Sequence, residues 1–164
     1  FDNIIEQINE VLDTGAFITA VVTFMIFAIN IALTFLSYTL FKQTTVNNPI
    51  ISMLSSTHPY IIGLIVILLL PFVEEILFKA QIFKNTKFLD NPKVIKKIII
   101  ALLFACFHCI TEIVTLNYKV IISMINYILF YSITNTIYIR SNYNIMKPIA
   151  IHMLLNALSL IISL

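Results

Sequence analysis

Residues 71–79 read PFVEEILFK and place two adjacent carboxylates at the end of an apolar run. The run from Tyr60 to Leu70 contains no charge, and only Gly63 interrupts its apolar residues. A charged side chain at the centre of a membrane costs roughly 2.5–3.5 kcal/mol on insertion scales. Glu74 and Glu75 therefore predict a functional site, and their partners should be other polar residues embedded in apolar segments.

The composition indicates that the whole chain lies in a membrane. Of the 164 residues, 60% are hydrophobic and only 11% are charged, which is more apolar surface than a soluble domain of this size can bury. Four long runs carry no charge: Thr14–Phe41, Pro59–Val73, Val120–Ile139 and Pro148–Leu164. Runs of about 18 apolar residues are typical of membrane helices, and flanking residues extend the shorter runs here. We expect an all-α, polytopic membrane helix bundle, and the charge pattern does not suggest nucleic acid binding.

The apolar pattern predicts five membrane helices in residues 15–164, preceded by an amphipathic segment at residues 1–14. The expected helices are Gly15–Phe41, a second from Pro59 through the glutamate pair, Val94–Ile113, Val120–Ile139, and Met146 to the end. Lys42–His58 is expected to be a polar connection. Because the sequence begins at Phe1 rather than at a methionine, we expect it to be a fragment of a longer chain.

Pro71 lies inside the second predicted helix. It lacks the N–H that would bond to the Ile67 carbonyl, which predicts a kink one turn before Glu74.

The basic residues predict the orientation of the bundle. With five spans, the N-terminal segment shares one side of the membrane with residues 79–97 and 140–147, and that side holds eight of the ten Lys and Arg residues. We expect this side to be cytoplasmic, with the protein in the plasma membrane if it is bacterial.

Helix depth brings three ionisable side chains to a similar level. Counted from the basic loops at 1.5 Å per residue, Glu74 and His108 lie roughly 15 Å inside the membrane, and His152 lies roughly 8–18 Å inside. A helix end among lipid headgroups would also explain the glutamate pair, and a hydrogen-bonded core histidine would explain His108 alone. The agreement of three helices favours a site buried between them.

The spacing within each helix suggests how these side chains are arranged. His152 and Asn156 are four residues apart and share one helix face. Glu75 and Lys79 have the same spacing, with the acid on the N-terminal side, which is the favourable order. Adjacent helical residues diverge by about 100°, so we expect Lys79 to neutralise Glu75 and Glu74 to point into a cavity.

Three motifs in this order resemble those of the CPBP family, which comprises CAAX prenyl-endopeptidases and bacteriocin-processing (Abi) intramembrane proteases. They are Glu74-Glu75-x-x-x-Lys79, Phe104-x-x-x-His108 and His152-x-x-x-Asn156, where the family has EExxxR, FxxxH and HxxxN or HxxxB. The resemblance covers about residues 61–160, with the fourth helix as a spacer that carries no motif. Lysine at position 79 keeps the charge of the family's arginine but loses its bidentate geometry.

The resemblance implies an intramembrane endopeptidase that acts on a membrane-associated, prenylated or secreted-peptide substrate. The residues it assigns to catalysis are Glu74 and His108, which would activate water, and His152 and Asn156, which would hold the oxyanion. Those it assigns to support of the site are Glu75, Lys79 and Phe104. Members are described both as metalloproteases and as metal-free glutamate proteases. If a metal such as zinc is present, Glu74, His108 and His152 would be its ligands.

Other interpretations stay open at this point. The main alternative function is a non-proteolytic membrane scaffold on the same fold, such as a bacteriocin-immunity or regulatory partner protein. A proton or ion pathway is less favoured, because too few carboxylates lie along one line. Cys106 and Cys109 form a C-x-x-C pair around His108, and we interpret them as small buried packing residues rather than as zinc ligands or a redox pair.

Overall fold

The computed structural model describes residues 2–41, 58–83 and 93–163, and every regular element in these ranges is helical, as predicted. The second predicted span is the glutamate helix, residues 59–83, in which α-helical and π-helical turns alternate. Its segments are Pro59–Leu64 (α), Ile65–Leu69 (π), Leu70–Glu75 (α) and Ile76–Phe83 (π). The other α-helices are α1 Asp2–Glu10, α2 Ala16–Phe41, α3 Lys93–His108, α4 Ile110–Val114, α5 Val120–Arg140 and α6 Met146–Ser163. Apart from His58, the predicted connection Lys42–His58 lies outside the described residues.

Three helices are long and apolar enough to cross a membrane: Ala16–Phe41, Tyr60–Ile82 and Val120–Arg140. They correspond to the first, second and fourth predicted spans. Helix α6 is apolar but shorter, and α3 has 16 residues, which give a length of about 24 Å. Ala16–Phe41 and Tyr60–Ile82 expose most of their large apolar side chains on the outside of the bundle, where lipid would cover them, and Val120–Arg140 is more buried. The protein is therefore a membrane helix bundle, and the total of five spans stays a prediction.

The centre of the bundle is a cluster of aromatic side chains from the glutamate helix, α3 and α5. The Phe104 and Tyr131 rings are almost completely buried, with centroids 5.2 Å apart. Phe78 meets Phe104 edge-on at 5.0 Å. Helix α3 packs along α5, and α6 packs against both α2 and the glutamate helix. The three helices that carry the motifs therefore surround one shared core.

Helix α1 forms an ion pair and hydrogen bonds with the connection between α5 and α6 and with the first turn of α6. Glu10 pairs with Lys147 and accepts a hydrogen bond from Asn144 Nδ2 at 2.8 Å, while the N–H of Ile145 donates to Gln7 Oε1 at 3.0 Å. The hydrogen bonds from Lys147 and Asn144 hold the pKa of Glu10 below its ordinary value. Helix α1 continues into α2 through the π-helical turn Val11–Gly15, so the N-terminal segment and the first span form one continuous helical unit.

Around Pro71 the glutamate helix departs from α-helical hydrogen bonding. The N–H of Leu70 bonds to the Ile65 carbonyl, five residues back, and so does not follow the α-helical pattern to Val66. The π-helical donor to Val66 would be residue 71, and proline has no N–H. The Val66 carbonyl instead accepts a hydrogen bond from Asn156 Nδ2 at 3.0 Å. Pro71 was predicted to leave the carbonyl of Ile67 without a backbone donor. Because the turn is π-helical, the carbonyl without a backbone donor is instead that of Val66.

Candidate active site

Glu74 lies where the glutamate helix, α3 and α6 meet. Its Oε2 atom is 3.4 Å from His108 Nε2 and 3.7 Å from His152 Nε2. The Glu74 side chain is 18% exposed and that of His108 is 15% exposed, so both are shielded but can still be reached from outside. The three side chains that the depth argument placed at a similar level are therefore neighbours in the bundle.

Helix α3 fixes the tautomer of His108. Its Nδ1 atom is 2.8 Å from the carbonyl oxygen of Phe104, one turn earlier in the same helix. Because a carbonyl oxygen only accepts, Nδ1 carries the proton, and Nε2 of the neutral imidazole presents its lone pair to Glu74. An ionised Glu74 oxygen is also an acceptor. The pair is therefore suited to bind a group that donates to both atoms, such as a water molecule, or a cation.

Glu75 is completely buried beside Lys79, with which it forms the ion pair expected from their spacing. The other oxygen of Glu75 lies 3.1 Å from His152 Nδ1. The ammonium group of Lys79 also lies 4.7 Å from the centroid of the Tyr131 ring, in a cation–π arrangement. Both oxygens of Glu75 thus have a partner, which is what a buried carboxylate requires.

His152 connects the two glutamates, a contact that the sequence argument did not anticipate. Its Nδ1–H donates to Glu75, which leaves Nε2 directed at Glu74. Asn156 was predicted to share the face of His152 and to supply a second donor to the site. In the structure its Nδ2 group donates to the Val66 carbonyl, so this donor holds α6 against the glutamate helix.

Helix α5 supplies aromatic side chains to the site, although the sequence argument treated it as a spacer. The Tyr127 ring lies 4.6 Å from the His108 ring, and the Phe130 ring lies 4.6 Å from the His152 ring. Phe104, one turn before His108 in α3, also packs against this histidine, and the two ring centroids are 4.2 Å apart. Aromatic residues at helical spacing were the available signal on α5, but the same pattern occurs in many buried helices that form no site.

The possible metal ligands are Glu74 Oε2, His108 Nε2 and His152 Nε2, a donor set that suits zinc. The donor types fit zinc, and the 3.4 Å and 3.7 Å distances from Glu74 Oε2 to the two Nε2 atoms are close to the ~3.4 Å that separates two ligands of a tetrahedral zinc ion. Within the described residues these three side chains do not form a complete metal site by themselves. Cys109 is buried and Cys106 is exposed, and both are free thiols. The expectation that both cysteines are buried is therefore wrong for Cys106.

The sequence of the chain matches a known protein family. The sequence model of the type II CAAX prenyl endopeptidase Rce1-like family matches residues 56–158, which is more than half of the 164-residue chain and includes all three motifs. The chain belongs to this family. Membership of the Rce1-like family makes the protein a membrane-embedded hydrolase of the protease class. No curated protein and no solved structure matches the chain.

Proposed function

We propose that this Rce1-like protein is an intramembrane endopeptidase that cleaves a prenylated or otherwise membrane-bound peptide. The position of Glu74 carries the proposal. Its carboxylate is partly open to solvent and faces the Nε2 atoms of two histidines, whose Nδ1 atoms are each held by a separate acceptor. General acid–base catalysis needs a carboxylate of this kind, with free acceptor capacity and fixed neighbours.

The first step of the reaction is assigned to Glu74 and His108. A water molecule held by Glu74 Oε2 and His108 Nε2 gives its proton to Glu74 as its oxygen attacks the scissile carbonyl carbon. The tetrahedral intermediate then collapses, the C–N bond breaks, and Glu74 returns the proton to the leaving amine. The products are a carboxylic acid and an amine, which ionise to a carboxylate and an ammonium group, so one water molecule is consumed for each peptide bond.

His152 is assigned to the oxyanion of the tetrahedral intermediate. Its Nδ1–H already donates to Glu75, so Nε2 becomes a donor only in the protonated ring. The buried Glu75 carboxylate compensates the charge of that imidazolium, and a charged donor in a shielded site is well suited to an oxyanion. Asn156 remains the proposed second donor, and it would have to release the Val66 carbonyl to reach the intermediate.

The proposed mechanism uses Glu74 as the base without a metal ion. A zinc ion would require Glu74, His108 and His152 atoms at roughly 2.0–2.2 Å from one point. An Asn156 amide released from Val66 would suit this version, because an amide N–H suits an oxyanion and zinc rarely recruits an amide.

The test uses the purified protein in bilayer nanodiscs with a farnesylated peptide that ends in a CAAX sequence. We expect mass spectrometry to detect loss of the residues after the prenylated cysteine, slower cleavage of the unprenylated peptide, and no effect of an excess of chelator. Glu6→Gln, on the exposed surface of α1, is a control variant that should behave like wild type. Binding of both peptides without cleavage would contradict proteolysis and favour the scaffold function. Stoichiometric zinc that restores chelated enzyme, and that is lost in His152→Ala, would show a zinc protease.

The proposed orientation has its own test. A reporter fused after Lys87 should report the cytoplasm, and a reporter fused after Asn117 should report the outside, because most basic residues flank the first position. The opposite pair of signals would show that the protein has the reverse orientation. The depth of Glu74 would then be counted from the other face of the membrane.

A further inference from the structure

A second polar feature lies on the outside of the bundle, in a groove between α3 and α5. The groove has a volume of about 230 Å³. Its polar lining comes from Lys97, Ser132, Asn135 and Thr136, and its apolar lining includes Ile98 and Leu102. None of these residues belongs to the three motifs, and the mechanism proposed for Glu74 does not use them.

Asn135 is the residue in the groove that points to a ligand. It is only 1% exposed, yet its side-chain oxygen has no hydrogen-bond partner among the described residues. A buried polar atom without a partner is destabilising, and native proteins rarely retain one without a reason. An amide oxygen only accepts hydrogen bonds, so the missing partner must be a donor, such as a hydroxyl or an ammonium group.

The rest of the lining indicates the charge and the surroundings of that partner. Ser132 and Thr136 are exposed on the same face of α5 as the groove, one turn apart. Lys97, on α3, places a positive charge at the same groove, while Ile98 and Leu102 are 54% and 41% exposed beside it. The Thr136 hydroxyl donates to the Ser132 carbonyl within α5, whereas a charged side chain such as that of Lys97 is unfavourable against hydrocarbon. A ligand that joins an anion, a hydrogen-bond donor and apolar chains would match this lining.

The groove also lies at the depth of a lipid headgroup. Helix α5 has 21 residues and is about 31 Å long, close to the roughly 30 Å thickness of a hydrocarbon core. Asn135 and Thr136 are about one turn from Arg140 at the end of α5. Lys97 is about one turn from Lys93, where α3 begins. The groove therefore lies just inside the membrane boundary, on the side where most of the basic residues are found.

We propose that this groove binds the headgroup of a phospholipid that carries a hydrogen-bond donor, such as phosphatidylglycerol or phosphatidylethanolamine. The phosphodiester lies against Lys97, the buried Asn135 amide turns toward the groove so that its Oδ1 accepts from the headgroup hydroxyl or ammonium group, and an acyl chain follows Ile98 and Leu102. A volume of about 230 Å³ is several times the ~30 Å³ share of a water molecule, so a small headgroup fits. A membrane lipid is favoured over a soluble phosphate because the groove is flanked by lipid-exposed apolar residues.

The test compares headgroups with and without a hydrogen-bond donor; phosphatidylethanolamine has the same net charge as phosphatidylcholine, whereas phosphatidylglycerol is anionic. The purified protein is placed in nanodiscs of phosphatidylcholine, whose headgroup has the phosphodiester but no donor, with or without phosphatidylglycerol or phosphatidylethanolamine. We expect either donor lipid to raise the Tm by roughly 2–4 °C. Native mass spectrometry should also show that the protein retains these lipids in preference to phosphatidylcholine.

Three variants distinguish a specific lipid-binding site from a general effect of the membrane on the Tm. Asn135→Leu has a similar size and removes the unpaired oxygen, so it should leave the Tm in phosphatidylcholine unchanged or higher and should abolish the lipid-dependent rise. Lys97→Gln removes the charge that holds the phosphodiester, so it should weaken retention of all three lipids, and that of anionic phosphatidylglycerol most. Arg140→Gln, an exposed base at the same end of α5 but outside the groove, should keep the wild-type response.

Several results would overturn the proposal. One is an equal Tm in all three lipids, and another is an unchanged rise and unchanged lipid retention in Asn135→Leu. An equal rise with soluble glycerol phosphate in detergent would show that the site binds a free anion and not a lipid. A dimer that Asn135→Leu dissociates would show that the groove is filled by a second copy of the chain.

Discussion

The two adjacent glutamates have the same side chain and opposite environments. Glu74 is 18% exposed and faces two imidazole Nε2 atoms, whereas Glu75 is fully buried and has a partner on each oxygen, Lys79 on one and His152 on the other. Complete burial closes the carboxylate of Glu75 to substrate and water. The partners and the burial of a carboxylate, rather than its residue type or its depth in the membrane, therefore decide whether it can act as a base.

His152 makes the two environments interdependent. It donates from Nδ1 to Glu75, and this hydrogen bond directs Nε2 toward Glu74. The Glu75 side therefore acts on the chemistry by orienting a ring, much as outer carboxylates orient catalytic histidines in other sites. Variants on the Glu74 side should change the rate of cleavage, and variants on the Glu75 side should change the stability of the fold first.

The largest effect among the following variants is expected for His108→Gln. This change removes the Nε2 atom that faces Glu74. The attacking water therefore loses its hydrogen bond to His108 and keeps only the one to Glu74. We expect kcat to fall by roughly 100- to 10,000-fold, the usual range for loss of a general acid–base partner. The Tm should change little. The matched control is His58→Gln, an exposed histidine at the start of the glutamate helix, and it should retain activity. A kcat for His108→Gln within twofold of wild type would remove His108 from the mechanism.

A smaller effect is expected for Asn156→Leu, and a substitution at Pro71 should specifically reverse it. The substitution leaves the Val66 carbonyl without a donor, which should destabilise the fold by roughly 1–3 kcal/mol. Pro71→Ala restores an N–H at the position whose π-helical acceptor is Val66. The double variant should therefore recover much of the stability that Asn156→Leu loses, as measured by a double-mutant cycle of unfolding free energies.

The activity of the same double variant separates two roles for Asn156. If Asn156 acts only by holding α6 against the glutamate helix, cleavage should recover together with stability. If Asn156 also donates to the oxyanion, the double variant should fold normally and cleave slowly. Equal destabilisation by Asn156→Leu with proline or alanine at position 71 would contradict the structural role of the Val66 hydrogen bond.

The smallest effect is expected for Lys79→Arg, which we predict to change kcat/KM and Tm by no more than about twofold and about 2 °C. A guanidinium group keeps the positive charge for Glu75, and it stacks well on an aromatic ring such as that of Tyr131. Lys79→Met is the comparison, because it leaves the buried carboxylate without its counter-ion and should markedly lower the Tm. A Tm for Lys79→Met equal to that of wild type would show that this ion pair does not stabilise the Glu75 side.

The predicted fold agrees with the structure where a helix is long and uniformly apolar. Val120–Ile139 was predicted and Val120–Arg140 is observed, because a chain in lipid must satisfy its backbone groups within its own helix. The π-helical turns around Pro71 and the turn at Cys109 between α3 and α4 were not predicted. They depend on contacts with neighbouring helices, which helical periodicity does not encode.

The candidate site shows the same division between local and distant contacts. The pair of Glu75 and Lys79 was predictable because its partners are one helical turn apart. The contact of His152 with Glu75 spans 77 residues of sequence, and that of Asn156 with Val66 spans 90. Depth counting placed the right helices at one level. It could not say which glutamate each histidine atom would meet, since that depends on how the helices are rotated against each other.

The most direct test of the different roles of the two glutamates compares Glu74→Gln with Glu75→Gln in the same nanodiscs. For each variant, the cleavage rate per mole of folded protein and the Tm are measured. Glutamine keeps the shape and hydrogen bonding of glutamate but cannot accept the proton. We predict that Glu74→Gln folds with the wild-type Tm and loses cleavage by roughly 10,000-fold. Glu75→Gln should have a clearly lower Tm, because Lys79 is left unpaired, and should retain measurable cleavage in the molecules that fold. Wild-type cleavage by Glu74→Gln would contradict the account.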